Sequence, residues 1–143
     1  MTQVRFDINV AQRLVYACRL LRKASVSGRR ALVWAPQPVL TELDALLWTF
    51  VPSSFVPHCR LGAPDAVQAR SPILLAEDCT DTAGCSVIVP LGWPEAVPDA
   101  GRFERVIEIV TSDEADRRQA RHRWRQYQHA GYAPQSLDRS TTA

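Results

Sequence analysis

Gly28-Arg29-Arg30-Ala31-Leu32-Val33-Trp34-Ala35 reads as a turn, two cations and then five apolar residues in succession. A strand with one solvated face alternates apolar with polar residues. An apolar run without alternation is covered on both faces, which is the condition of a strand inside a parallel sheet. Upstream, Val4, Phe6 and Ile8 alternate with Arg5 and Asp7, a strand period. Asn9 and Gln12 then stand three apart at the spacing of a helix cap, and Leu14, Cys18, Leu21 and Ser25 follow at helical intervals to about Ala24. Strand, helix and doubly covered strand make a βαβ unit.

Downstream, Pro36 and Pro38 end the strand, and Pro38 suits the first turn of a helix carrying Leu40, Leu43 and Leu47 on one face. Residues 60 to 71 read as a loop. Strands are predicted at Ile73-Leu74-Leu75, at Val87-Ile88-Val89 and within Val106-Ile107-Glu108-Ile109-Val110. Three prolines and two glycines between Pro90 and Gly101 mark a loop. Thr111-Ser112-Asp113-Glu114 has the capping-box form, with Thr111 as N-cap, and opens a helix that runs to about Ala130 before Gly131. The expected architecture is one α/β domain over residues 1–135, with a mostly parallel central sheet flanked by helices, and a flexible polar tail over 136–143.

The chain has 143 residues, 46% hydrophobic and 22% charged, enough for a self-sufficient core. Its longest apolar run falls far short of the ~20 residues of a membrane helix. The first residues lack a basic segment followed by an apolar one, so a cytoplasmic location is expected. In that setting Cys18, Cys59, Cys79 and Cys85 are expected as reduced thiols. The spacing of Cys59, Cys79 and Cys85 fits no zinc knuckle, and no metal is expected.

The net charge of +2 hides an asymmetry. Residues 117–143 carry six arginines and one acid, a net +5, and the eleven basic and fourteen acidic residues before them sum to −3. On the last helix Arg117, Arg121, Trp124, Arg125 and Gln128 recur at helical spacing, placing three guanidinium groups and an indole on one stripe. Arginine pairs with carboxylate or phosphate and the indole offers a flat apolar surface, so the stripe suits an acidic ligand with an apolar part. The −3 over the rest of the chain argues against a broad nucleic-acid surface.

Enzyme chemistry has weaker support. Ile8-Asn9-Val10-Ala11-Gln12-Arg13 contains no glycine, so the first βα turn is not a dinucleotide-binding loop, and no phosphate-binding Gly-x-x-x-x-Gly-Lys motif exists. No cofactor is expected. The alternative is a small hydrolase or transferase built on His58-Cys59, with Ser54 nearby, whereas Asp78 and Asp81 read as a solvated turn. A second apolar constellation, Leu43-Asp44 with Leu47-Trp48 and then Ser54-Phe55-Val56-Pro57-His58, gathers large aromatics around proline as interfaces do.

Taken in order, several short motifs carry a resemblance. These are Gly28-Arg29-Arg30-Ala31-Leu32-Val33, Leu43-Asp44-Ala45-Leu46-Leu47-Trp48, Ser54-Phe55-Val56-Pro57-His58 and Pro72-Ile73-Leu74-Leu75. Phe103-Glu104-Arg105-Val106-Ile107-Glu108-Ile109-Val110 and the run from Arg121 through Trp124-Arg125 to Gly131-Tyr132 complete the set. The chain resembles the chi subunits of the bacterial DNA polymerase III holoenzyme. The resemblance implies a Rossmann-like domain without a nucleotide site and a non-catalytic bridge between two partners. One partner is the psi subunit of the clamp loader, facing Trp48, Phe55, Val56 and Pro57. The other is the acidic C-terminal tail of single-stranded DNA-binding protein, held by Arg121, Trp124 and Arg125 within the stripe. The sequence departs from the family at Pro90-Leu91-Gly92-Trp93, at Trp124, where a smaller aromatic is common, and at Arg125, where lysine is common.

Overall fold

The computed structural model describes residues 2–49 and 57–140. Within them seven strands form one sheet: β1 (Gln3–Val10), β2 (Ala31–Trp34), β3 (His58–Arg60), β4 (Ile73–Ala76), β5 (Val87–Pro90), β6 (Arg105–Thr111) and β7 (Gln135–Asp138). The spatial order is β3-β4-β2-β5-β6-β1-β7, and every pairing is parallel. The helices are α1 (Arg13–Val26), α2 (Gln37–Thr49), the short α3 (Asp65–Arg70) and α4 (Glu114–His129).

Register explains why the inner strands are apolar throughout. Leu32 pairs with Leu74 and Ile88, Ile88 with Val106, and Val106 with Val4, giving one continuous apolar row across the sheet. That row, with Phe6, faces α4 and the plug Val97, Ala100 and Phe103 from the proline-rich loop. One residue along, Val33, Leu75, Val89 and Ile107 face the opposite way, onto Ala17, Cys18 and Leu21 of α1 and Leu40, Leu43 and Leu47 of α2. A slip of one residue in any inner strand would exchange these two sets of partners.

Four local expectations are corrected. The cap of α4 is Asp113, whose carboxylate accepts from the Asp116 amide at 3.2 Å; Thr111 still belongs to β6, paired with Val10, two residues before the cap position. Its amide and hydroxyl instead donate to the Asp116 carboxylate at 2.8 and 2.9 Å. Asn9 does not cap α1, because β1 continues through an irregularity to Val10 and leaves Asn9 at φ 60°, where its amide nitrogen donates to Asp138 at 3.1 Å. The N-cap position falls on Gln12 and makes no side-chain bond.

The third correction concerns the polar tail expected over 136–143. Gln135–Asp138 form β7 along β1, and the Arg139 amide donates to the Ile8 carbonyl at 2.8 Å. Without β7, β1 would present an unpaired edge, and backbone bonds secure the strand although its side chains are exposed. Residues 60–71 likewise contain β3's end and α3 rather than loop alone.

Candidate functional site

α4 lies across the sheet face that carries Phe6, held there by a buried polar network. Glu108 stands in the middle of an apolar strand and is 1% exposed. Its carboxylate accepts from Arg123 Nε at 3.0 Å and from the Tyr127 hydroxyl at 2.8 Å. Burial pushes the Glu108 carboxyl up, and Arg123 opposes that shift. Burial, then the Glu108 charge, pushes the Tyr127 phenol far above its ordinary range, so it remains a donor. Arg123 Nη1 donates to the Trp93 carbonyl at 3.3 Å, and the Val97 amide donates to the Tyr127 hydroxyl at 3.1 Å. The two α4 side chains that bind the Glu108 carboxylate therefore also hold the proline-rich loop. A lone Glu inside Val-Ile-Glu-Ile-Val was the sequence signal for this network, and composition and spacing passed over it.

With Arg123 turned inward, its neighbours face out. Arg117, Arg121 and Trp124 line a groove of about 220 Å³, floored by Phe6, Ile8 and Val110 and bordered by Ser136 of β7. The Trp124 ring lies 5.1 Å from Phe6 at a tilt of 53°, and Phe6 meets Tyr127 edge-on at 5.8 Å. These contacts fix the half-buried indole as one wall. Arg121 is exposed and, among the described residues, forms an ion pair with the exposed Glu114 at 3.4 Å. Such pairs contribute ~0–1 kcal/mol, so a bound carboxylate displaces Glu114 at little cost. Arg125 and Gln128, also exposed, continue along the helix beyond the groove lining. The groove thus combines cations at its rim with an aromatic and aliphatic floor, which suits a chain ending in an apolar side chain and carboxylates.

The second constellation is partly within the described residues. Trp48 is 61% exposed near the end of α2, and its ring meets His58 edge-on at 5.5 Å. His58 Nε2 lies 2.7 Å from the Asp44 carboxylate, so the α2 end and the β3 start form one cluster. Pro57 is exposed beside it; Phe55 and Val56 lie outside the described residues. On β3, successive side chains point to opposite faces. His58 turns to α2 while Cys59 packs on the core of the other face, which separates the two groups that a His58-Cys59 catalyst would pair. Cys18, Cys79 and Cys85 are buried, and burial pushes Cys18 and Cys85 up to about 11, so they are inert packing thiols. Among the described residues no group of His, Cys, Asp and Glu is placed to hold a metal, and no helix is long and apolar enough to cross a membrane.

The architecture is that of an all-parallel α/β domain with helices on both sheet faces. The same fold occurs in the C-terminal domain of the DEAD-box protein Dbp5, with TM-score 0.64 and 12% identity, covering 96% of this chain and 90% of that one. Residues 1–135 match the family of the DNA polymerase III chi subunit, HolC. The DNA polymerase III subunit chi of Pseudomonas aeruginosa is 34% identical over 137 residues, which cover 92% of this chain and 93% of that protein. The chain belongs to the DNA polymerase III chi subunit family, whose members are non-catalytic accessory subunits in DNA replication.

Proposed function

We propose that this protein bridges two partners in the cytoplasm: the psi subunit of the clamp loader, and the acidic C-terminal tail of single-stranded DNA-binding protein. The α4 groove carries the reading. Arg117 and Arg121 stand over an aromatic floor sized for one side chain, so a terminal Phe enters against Trp124 and Phe6 while its carboxylate and nearby acids meet the guanidinium groups. Arg125 and Gln128 extend the same helix face toward residues further up the tail. Of the four psi-facing residues that the resemblance implies, Trp48 and Pro57 are described and exposed, and Phe55 and Val56 lie outside the described residues. The exposure of Trp48 supports this role, since an indole this open contributes little to the core.

The test is calorimetric titration of an acidic peptide ending in a free-carboxylate Phe. One-to-one binding that is lost when the terminal Phe is removed supports the groove. Equal binding by wild type and an Arg121→Ala/Trp124→Ala double variant would place the tail elsewhere. For the other surface, Trp48→Ala should abolish co-purification with psi and leave both the melting temperature and the peptide affinity unchanged. Competition between psi and the peptide for the isolated protein would sink the bridging reading.

A further inference from the structure

Arginines scattered along the chain converge on the sheet face opposite the α4 groove. Arg5 of β1, Arg19 and Lys23 of α1, Arg29 just before β2, Arg105 at the start of β6 and Arg139 after β7 line one cavity of about 270 Å³. Among the described residues no carboxylate lines it. The fully buried Asp7 beside it is already engaged: Arg5 donates to it at 2.6 and 3.0 Å, and the Tyr16 hydroxyl donates to it as well. Burial, aided by Asp7, pushes Tyr16 up to about 12, so it stays protonated and keeps that bond. Arg139 lies over the Tyr16 ring at 5.9 Å, and its Nε is buried without an acceptor. The floor is aliphatic, formed by Leu20, Val87, Val89 and Ile107.

Leaving Arg19 aside, five cations face the cavity, and the one carboxylate described beside it is spent on Arg5 and Tyr16; they leave a positive potential that an anion relieves. The manner of assembly selects the anion. On α4 the arginines follow a line, which matches carboxylates strung along a peptide. Here the cations arrive from separate segments around one small space, which matches several charges concentrated in one group. Arginine pairs with phosphate as a planar fork, and Lys23 adds a point charge. The position also differs from the usual crevice of such folds, because the cavity lies toward the amino ends of β2, β5 and β6, not at the carboxyl ends where a glycine loop would be needed.

We propose that this cavity binds a small organic polyphosphate, its phosphates held by the Arg5, Lys23, Arg29, Arg105 and Arg139 side chains and its apolar body resting on the aliphatic floor. It uses the face opposite the tail groove, so it stands or falls independently of the bridging reading. The probes are ATP and inorganic triphosphate, titrated calorimetrically into the full chain at low salt. ATP is expected to bind one-to-one, and inorganic triphosphate more weakly, because it lacks the body that covers the floor. Lys23→Glu and Arg29→Glu, both at exposed positions, should each weaken ATP by about tenfold or more. Arg118→Glu makes the same charge change on the exposed surface of α4 and should alter ATP affinity by less than about twofold. If a reversal impairs folding, Lys23→Gln replaces it and should still weaken ATP measurably.

Several outcomes overturn the assignment. These are absence of one-to-one ATP binding, equal weakening by Arg118→Glu, and inorganic triphosphate binding as tightly as ATP. So are displacement of ATP by the acidic Phe-ended peptide, which would mark a peptide site, and tighter binding of a single-stranded oligonucleotide that the same reversals weaken, which would mark a DNA site.

Discussion

The two faces of the sheet each carry a cationic cavity, and they are built in opposite ways. On the α4 face, Arg117, Arg121 and Trp124 come from less than three turns of one helix, over a floor of Phe6, Ile8 and Val110. On the α1 face, the cations come from β1, α1, β6 and the segments before β2 and after β7. The first site is a local pattern that tertiary structure supplies with a floor; the second exists only once the sheet has formed. Net charge over a segment therefore says little about a surface. Residues 1–116 sum to −3, yet they supply five of the six cations of the α1 cavity.

The largest expected effect tests whether α4 is a fixed platform or a mobile one. Arg123→Ala strands the buried Glu108 without its cation, and breaking a buried pair of this kind costs ~3–5 kcal/mol. Arg121→Ala, two residues earlier and exposed, should cost less than about 0.5 kcal/mol. Urea unfolding of the two variants reads both numbers. Similar midpoints for the two would mean that Glu108 and Arg123 do not anchor the helix.

Next in size is the separation of the two faces. Arg121→Ala should weaken the acidic Phe-ended peptide by ~1–3 kcal/mol, the scale of a lost charge-assisted hydrogen bond. Lys23→Glu, across the sheet, should leave that affinity within about 0.5 kcal/mol. Titration calorimetry on the two variants checks this. A comparable loss from Lys23→Glu would show that a general field, not the groove, attracts the peptide.

What the sequence made legible follows the same division. The βαβ opening, the doubly covered strands and the arginine stripe are periodic, and period survives without knowledge of the fold. β7 was missed because Gln135-Ser136-Leu137-Asp138 has no apolar period; its place is set by the open backbone edge of β1. The cap of α4 was misplaced by two residues because Thr111 and Asp113 are both good caps. Only the β6 ladder, reaching Thr111, selects between them. Phe6 is legible as one of the alternating apolar positions of the first strand, and its role as the floor beneath Trp124 depends on how α4 crosses the sheet. The convergence of Arg5, Arg29, Arg105 and Arg139 left no local trace at all.

A smaller effect probes the joint between the faces. Asp116 holds Arg13 at the start of α1 at 2.7 Å and binds the Thr111 amide at the end of β6. Burial acts to raise its carboxyl, but the Thr111 amide and the Arg13 guanidinium outweigh burial and hold it below the usual range. A depressed native pKa adds stability that is present above the unfolded value near 4 and is lost as pH falls through the native value. Asp116→Asn should therefore cost about 1 kcal/mol at pH 7 and flatten the acid limb of a stability-against-pH curve. An unchanged acid limb would show that the Arg13 contact is solvated and carries no linkage.

The smallest expected effect distinguishes the helical stripe from the groove. Periodicity alone ranks Arg125 and Gln128 with Arg117, Arg121 and Trp124, since all five share one helix face. The groove is narrower: its lining ends at Trp124, and Arg125 and Gln128 stand in solvent beyond it. An exposed cation outside the groove acts on a bound tail through screened charge, without a fixed hydrogen bond. Arg125→Ala should therefore weaken the acidic peptide by less than about 0.5 kcal/mol in 150 mM salt, and more at low salt. Gln128→Ala, which removes no charge, should have no measurable effect at either salt concentration. If Arg125→Ala instead matches Arg121→Ala and does so independently of salt, the peptide crosses the whole stripe. The groove under Phe6 and Trp124 would then be only its upstream end.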